Sequence, residues 1–238
     1  MTPLFIIPAR GGSKGIPGKN IKDLGGRPLI AYSIDHAKSL ACDDEHIILS
    51  TDSKEIAEVA ARHGVEVEYM RPDALATDTS GSREVMLDAM AWADSRNISY
   101  DCIVLLQPTS PFRTVEDIIK CLARFDSGID MVVSVKETSA NPYYNCFEPD
   151  SSTGFLHISK GTGNYTRRQD APKCYEYNGA VYVINPDSLR KEPIGKFAKT
   201  IAIEMPEERS LDLDTPFDWL VAEAMIERQK KNTQSQTN

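Results

Sequence analysis

No apolar run in the chain comes near the roughly 20 residues that a membrane span requires. The N-terminus has neither a charged leader nor a cleavable apolar stretch, so neither an anchor nor a secretory signal is expected. Basic residues are in deficit, 27 Lys and Arg against 35 Asp and Glu, for a net charge of -8. That balance argues against a nucleic-acid partner, whose binding runs on excess positive charge. Cysteine is sparse: Cys42, Cys102, Cys121, Cys146 and Cys174 are an odd, widely spaced set with no Cys-x-x-Cys pair. Neither a disulfide framework nor a zinc site fits, and a reducing cytoplasm is expected. No internal repeat is present, and 238 residues make one large domain with a core of its own.

The stretch from Ile6 to Asn20 holds what is unusual. Leu4 to Ile7 reads as a buried strand, after which glycines and prolines break the chain. Arg10, Lys14 and Lys19 fall here, with Lys22 just beyond, and no acidic residue precedes Asp23. Glycines let backbone N–H groups approach an anion and cations neutralise it, which is the physics of a phosphate cradle. It is neither of the two familiar ones. Gly18-Lys19 is followed by Asn20 rather than Ser or Thr, and Ser13 and Lys14 stand where a dinucleotide fingerprint needs glycine.

Downstream, strand and helix patterns alternate. Strands are expected at His46–Leu49, Val65–Tyr69, Asp101–Leu106, Met131–Val135 and Tyr177–Ile184. Helices are expected after Pro28, after Asp52 (a cap with Glu55, or a carboxylate near the ligand), after Ser82 as cap, and after Thr114 with Asp117. This alternation predicts a doubly wound, mostly parallel α/β sheet with helices on both faces. Ligands of such sheets bind beyond the carboxyl ends of the strands, where the Arg10–Asn20 loop, Asp52, Arg71 and Gln107 all fall.

From about 136 to 175 the alternation fails, and Asn, Pro, Tyr, Gly and Ser dominate; so long an irregular segment is read as functional or an interaction element. Near the end, Ser210-Leu211-Asp212-Leu213-Asp214-Thr215 alternates apolar and acidic residues, so in an extended chain both carboxylates share a side. Oxygen ligands of that kind suit Mg²⁺. The plainer alternative makes Asp214 part of the entry to the last helix. The domain is expected to end near 230, with a frayed polar tail over 231–238.

The loop from Ile7 to Asn20 closely resembles the signature loop of the acylneuraminate (CMP-sialic acid) cytidylyltransferases. Four further segments match in the same order: Ser50-Thr51-Asp52, Leu106-Gln107-Pro108-Thr109-Ser110-Pro111, Asn178-Gly179-Ala180-x-Tyr182 and Asp212-x-Asp214-Thr215. The resemblance implies a nucleotide-binding domain with an inserted dimerisation segment, hence a homodimer. It places Arg10, Lys14 and Lys19 on the triphosphate of CTP, within a nucleotide site that also holds Gly12, Ser13, Asn20, Arg71 and Ser82. Gln107, Arg168 and Asn178 are implied at an acidic 2-keto sugar, and Asp212 and Asp214 at Mg²⁺. The catalytic set so implied is Arg10, Lys14, Lys19 and Asp214.

The implied reaction is attack of the sugar's anomeric 2-hydroxyl on the α-phosphorus of CTP, with pyrophosphate leaving. One departure bears on the sugar. Where sialic-acid members often carry a lysine shortly after His-Pro, this chain has Asn141-Pro142-Tyr143-Tyr144, which looks more like relatives that activate legionaminate or pseudaminate. N-acetylneuraminate, those two sugars and 3-deoxy-manno-octulosonate all stay open. A glycosyltransferase using Asp212-x-Asp214, or a non-catalytic nucleotide-binding regulator, are the readings from other classes.

Overall fold

The computed structural model describes residues 1–236, with side chains through residue 232. Strand β1 (Pro3–Pro8) pairs in parallel with β2 (Ile47–Ser50) on one side and with β3 (Cys102–Leu105) on the other. Beyond β3, strand β7 (Tyr175–Ile184) runs antiparallel between β3 and β4 (Met131–Glu137), and β8 (Thr200–Glu204) lies parallel to β4 at the far edge. The six-strand order is therefore β2-β1-β3-β7-β4-β8. The expected mostly parallel α/β sheet is present, with β7 alone reversed.

Successive side chains of a strand point to opposite faces, so the all-apolar strands feed two cores at once. From β1, Phe5 and Ile7 join one cluster with Ile30 and Ile34 of α1 (Leu29–Leu40), Ile56 and Val59 of α2 (Lys54–Arg62) and Ile118 of α4 (Val115–Arg124). Leu4 and Ile6 join the other, with Met86 and Met90 of α3 (Ser82–Ser95) and Leu189 of α5 (Pro186–Lys191). Each such side chain contributes about 1.5–3 kcal/mol by its burial. A third cluster docks the last helix, α6 (Pro216–Gln236), through Trp219, Ala222 and Ile226 onto Ile16, Leu24, Leu29 and Leu213.

Several local expectations need correction. Val65–Tyr69 is extended but not a strand: only the Thr51–Met70 bridge at its end ties it to the sheet edge. Ser53, not Asp52, caps α2, accepting from the Ile56 N–H. Ser82 is the first helical residue of α3 and caps nothing, whereas Thr114 and Asp117 form the expected capping box on α4. Helix α6 runs to Gln236, and the final two residues of the expected tail lie outside the described residues.

The irregular segment departs from the end of β4 and returns into β7, with Glu137 paired to Tyr175. Between them, β5 (Phe147–Pro149) and β6 (Leu156–Ile158) make a separate two-stranded ribbon. Phe147, Phe155 and Leu156 on this segment are exposed, as are Tyr175 and Tyr177 where β7 begins.

Candidate active site

At the carboxyl end of β1 the chain leaves the sheet and enters the Arg10–Asn20 loop. The loop is held from beneath: Ala9 N–H donates to Ser50 O (2.8 Å) and Gly11 N–H to Asp52 Oδ1 (2.8 Å). Asp52 thus binds the loop's own backbone, which neither reading of it anticipated. Asn20 Nδ2 closes the loop on Arg10 O at 2.9 Å. Gly15 packs so tightly that a Cβ there would stand 2.0 Å from Asp214 O, so only glycine fits.

Arg10, Ser13, Lys14, Lys19, Asn20, Gln107 and Asp214 line one open cleft of about 220 Å³, beyond the ends of β1 and β3. Lys19 is buried, donating to Leu213 O at 2.6 Å and pairing with Asp214 Oδ1 at 3.1 Å. Arg10 and Lys14 both reach Asp78, at 2.9 and 2.6 Å. The Lys14 contact, and then Arg10, hold the Asp78 carboxyl below its ordinary value. Lys22, just beyond the loop, turns away and lies over the Trp219 ring at 4.3 Å. Gly12 sits in the loop with open space around it.

The third and fifth motifs meet on the far side of the cleft, where Leu213 N–H donates to Thr109 O at 2.8 Å. Asp212 is partly open to solvent, yet the protein around it raises its carboxyl pKa, and the charge of Asp214 adds to that; Thr109 and Lys19 pull the other way. The charges of the two carboxylates thus act on one another. The Asp214 carboxylate does not cap α6, because Thr215 and Asp218 form that box: Asp218 Oδ2 accepts from Thr215 N–H at 2.7 Å and Asp218 N–H donates to Thr215 Oγ1 at 3.2 Å.

The remaining expected site residues stand apart from the cleft lining. Arg71 is buried behind β2, bonding Ser50 through Nε and Nη2; burial pushes its pKa down, with Arg10 adding to the effect. Ser82 is exposed at the start of α3. Arg168 is exposed on the inserted segment, donating to Ser139 O. Asn178, expected at the sugar, is turned to internal work. Its Nδ2 donates to Ser210 Oγ and Met205 Sδ, and its Oδ1 accepts from Ser134 Oγ and the Ala180 N–H. No polar atom of that amide is left for a ligand. The neighbouring Gly179, at φ +75°, meets the site instead: a Cβ there would stand 2.9 Å from Gln107 Oε1 and 3.4 Å from Asp212 Oδ2.

Arg113 and Arg209 went unnoticed in the sequence. Arg209 Nε and Nη2 fork onto Asp117 at 2.9 Å each, tying the segment before Asp212 to the start of α4. Burial alone would push the Asp117 carboxyl up, but Arg209 and the Thr114 N–H outweigh it and the net shift is downward. Arg113 lies two residues past Pro111, and no local pattern marks a lone arginine there as buried.

The chain matches the family model described as "Cytidylyltransferase" over residues 4–236. It is 36% identical to the post-translational flagellin modification protein B of Campylobacter coli, over 98% of this chain and 97% of that one. It is also 36% identical to a CMP-N,N'-diacetyllegionaminic acid synthase of Legionella pneumophila, over 95% and 97%. The fold is similar to that of a CMP:2-keto-3-deoxy-manno-octonic acid synthetase complexed with CTP, with a TM-score of 0.69 at 18% identity, covering 96% of this chain and 100% of the other.

Proposed function

The chain belongs to the cytidylyltransferase family, and from that membership we propose that its CTP-dependent nucleotidyl transfer activates an acidic 2-keto sugar of the nonulosonate class. The observation that carries the reading is the single cleft lined by Arg10, Lys14, Lys19, Gln107 and Asp214. Such a cleft suits a triphosphate at its cations and a second substrate beside it. Transfer of this kind asks for little covalent chemistry, so charge neutralisation and in-line positioning dominate. Lys19, fixed by Leu213 O and Asp214, is a preorganised cation; Lys14, exposed and paired with Asp78, exchanges that carboxylate for the phosphates. Asn20 and Arg71 are the groups for the nucleoside end, with Ser82 brought in from α3.

Mg²⁺ fits the donor set. Asp212 and Asp214 offer two carboxylates beside the phosphate cradle, and Mg²⁺ characteristically takes one or two carboxylates plus substrate phosphate oxygens. Bound there, the ion would neutralise phosphate charge and lower the pKa of a coordinated hydroxyl. Among the described residues, Asp43, Glu45 and His46 also stand close enough to share an ion. His46, however, has both ring nitrogens engaged, by Asp43 and Ser99 O, at the opposite end of β2.

The exposed Phe147, Phe155 and Leu156 support a homodimer built on the inserted segment, which would bring Arg168 to an active site. Five free cysteines support a reducing, cytoplasmic setting, and no helix among the described residues is long and apolar enough to cross a membrane.

Among candidate sugars, legionaminate and its relatives are favoured by the 36% identity to the Legionella synthase and by Asn141-Pro142-Tyr143 in the insert. Purified protein given CTP, Mg²⁺ and a panel of N-acetylneuraminate, legionaminate, pseudaminate and 3-deoxy-manno-octulosonate is expected to release pyrophosphate with one nonulosonate far faster than with the others. Pyrophosphate release with none of the four overturns the reading.

A further inference from the structure

Arg113 is wholly enclosed, 2% exposed, in the turn between β3 and α4. No carboxylate lies within ion-pair distance of it among the described residues. Its Nη1 donates to Gln107 O (2.9 Å) and Ala180 O (2.8 Å); its Nη2 donates to Gln107 O (2.8 Å) and to Ser33 Oγ of α1. Its Nε has no partner. Burial pushes the guanidinium down to about 9, with the more distant Asp212 charge pulling the other way, which still leaves it charged at neutral pH. A buried cation without a paired anion is costly, and a well-packed apolar residue would fill the same space more stably. Stability does not explain its place.

Its partners do. Gln107 and Ala180 belong to the two chain segments that flank Gly179, and Gly179 is where the Gln107 side chain, Ser110 Oγ and Asp212 converge. The planar fork of Arg113 holds the backbone of Gln107 against β7 from behind, while the Ser33 contact anchors the fork to α1. We propose that Arg113 is a positioning residue for the acceptor half of the site, fixing how Gln107 is presented to the sugar. The inference rests on the reading that Gln107 faces the acceptor. The cradle for the triphosphate, hung from β2 through Asp52 and Ser50, has no contact with this fork and should not feel its loss.

The test uses Arg113→Lys, Ser33→Ala and Gln107→Ala in the full-length protein, with KM measured separately for CTP and for the best acceptor of the panel. Lysine keeps the charge but offers a point donor that cannot serve all three acceptors in one plane. Arg113→Lys is expected to raise the acceptor KM about tenfold and Ser33→Ala about threefold, with the CTP KM unchanged within about twofold. Gln107→Ala is expected to raise the acceptor KM in the same selective way. Should Arg113→Lys fail to fold, Ser33→Ala carries the test, since it removes one anchor without leaving a buried charge adrift. Equal shifts in both KM values, or none, in the two anchoring variants would overturn the inference while a selective Gln107→Ala effect leaves the acceptor reading standing. An unchanged acceptor KM in Gln107→Ala would overturn that reading and the positioning role with it.

Discussion

Lys19 Nζ lies 3.1 Å from Asp214 Oδ1, an ion pair between residues 195 positions apart that closes the first motif on the last. The Asp214 carboxylate is not needed to start the last helix, since Thr215 and Asp218 cap α6 by themselves, whereas Lys19 also holds Leu213 O. Lys19→Ala is therefore expected to weaken CTP binding by roughly tenfold or more. Asp214→Asn is expected to cut turnover by about two orders of magnitude and to shift its Mg²⁺ dependence, with little change in melting temperature. Asp218→Ala supplies the contrast: about 1 kcal/mol of stability lost through the cap. Isothermal titration with CTP, steady-state kinetics and thermal melts separate the three.

Asp78 pairs with Arg10 and Lys14 together. On the proposed reading, in which both cations take the triphosphate, CTP has to displace that carboxylate first. Asp78→Asn is expected to lower the KM for CTP by about two- to fivefold, an effect that shrinks as salt rises. A KM for CTP that rises in this variant would instead make Asp78 a contributor to binding.

The inserted segment predicts an assembly that sedimentation can measure. Charged substitutions at exposed Phe155 and Leu156 are expected to turn a homodimer into monomer at micromolar concentration and to reduce activity together with it. A wild-type chain that sediments as a fully active monomer would remove the homodimer.

His36, on α1 near Arg113, is held at about 4, first by burial and then by the Arg113 charge. Between pH 6.5 and about 4 the unfolded chain therefore binds a proton that the folded chain refuses. Stability is intact above pH 6.5 and falls as pH drops through that window, by roughly 1–2 kcal/mol at pH 5. Denaturant melts of wild type and His36→Gln at pH 7 and pH 5 are the check: the acid loss should be smaller in the variant.

The cationic loop and the strand ends were legible because their signals are local: glycine, proline and charge at the end of an apolar run. Strand direction is not a local property, so the reversal of β7 could not be seen in Tyr177–Ile184. Strand β8 was passed over because Thr200–Glu204 is short and half exposed at a sheet edge, where composition says little. Val65–Tyr69 carries a strand's alternation but finds no ladder partner beside β2. Asn178 was expected at the ligand and Arg113 was not noticed at all, for the same reason. Which side chain of a motif faces the ligand and which braces it from behind depends on residues far away in sequence, such as Ser33 and Ser210.

Strands β4 and β7 are neighbours, antiparallel, and joined by the whole 138–174 segment, with Thr138 N–H still bonded to Cys174 O at its neck. In threading terms the segment is a hairpin tip, however long. It can lengthen, shorten or change sequence without rerouting a strand or disturbing the pairing on either side of it. It opens at the same end of the sheet as the cleft, so variation in this tip falls at the site's end of the molecule while the strands that carry the catalytic loops stay unchanged.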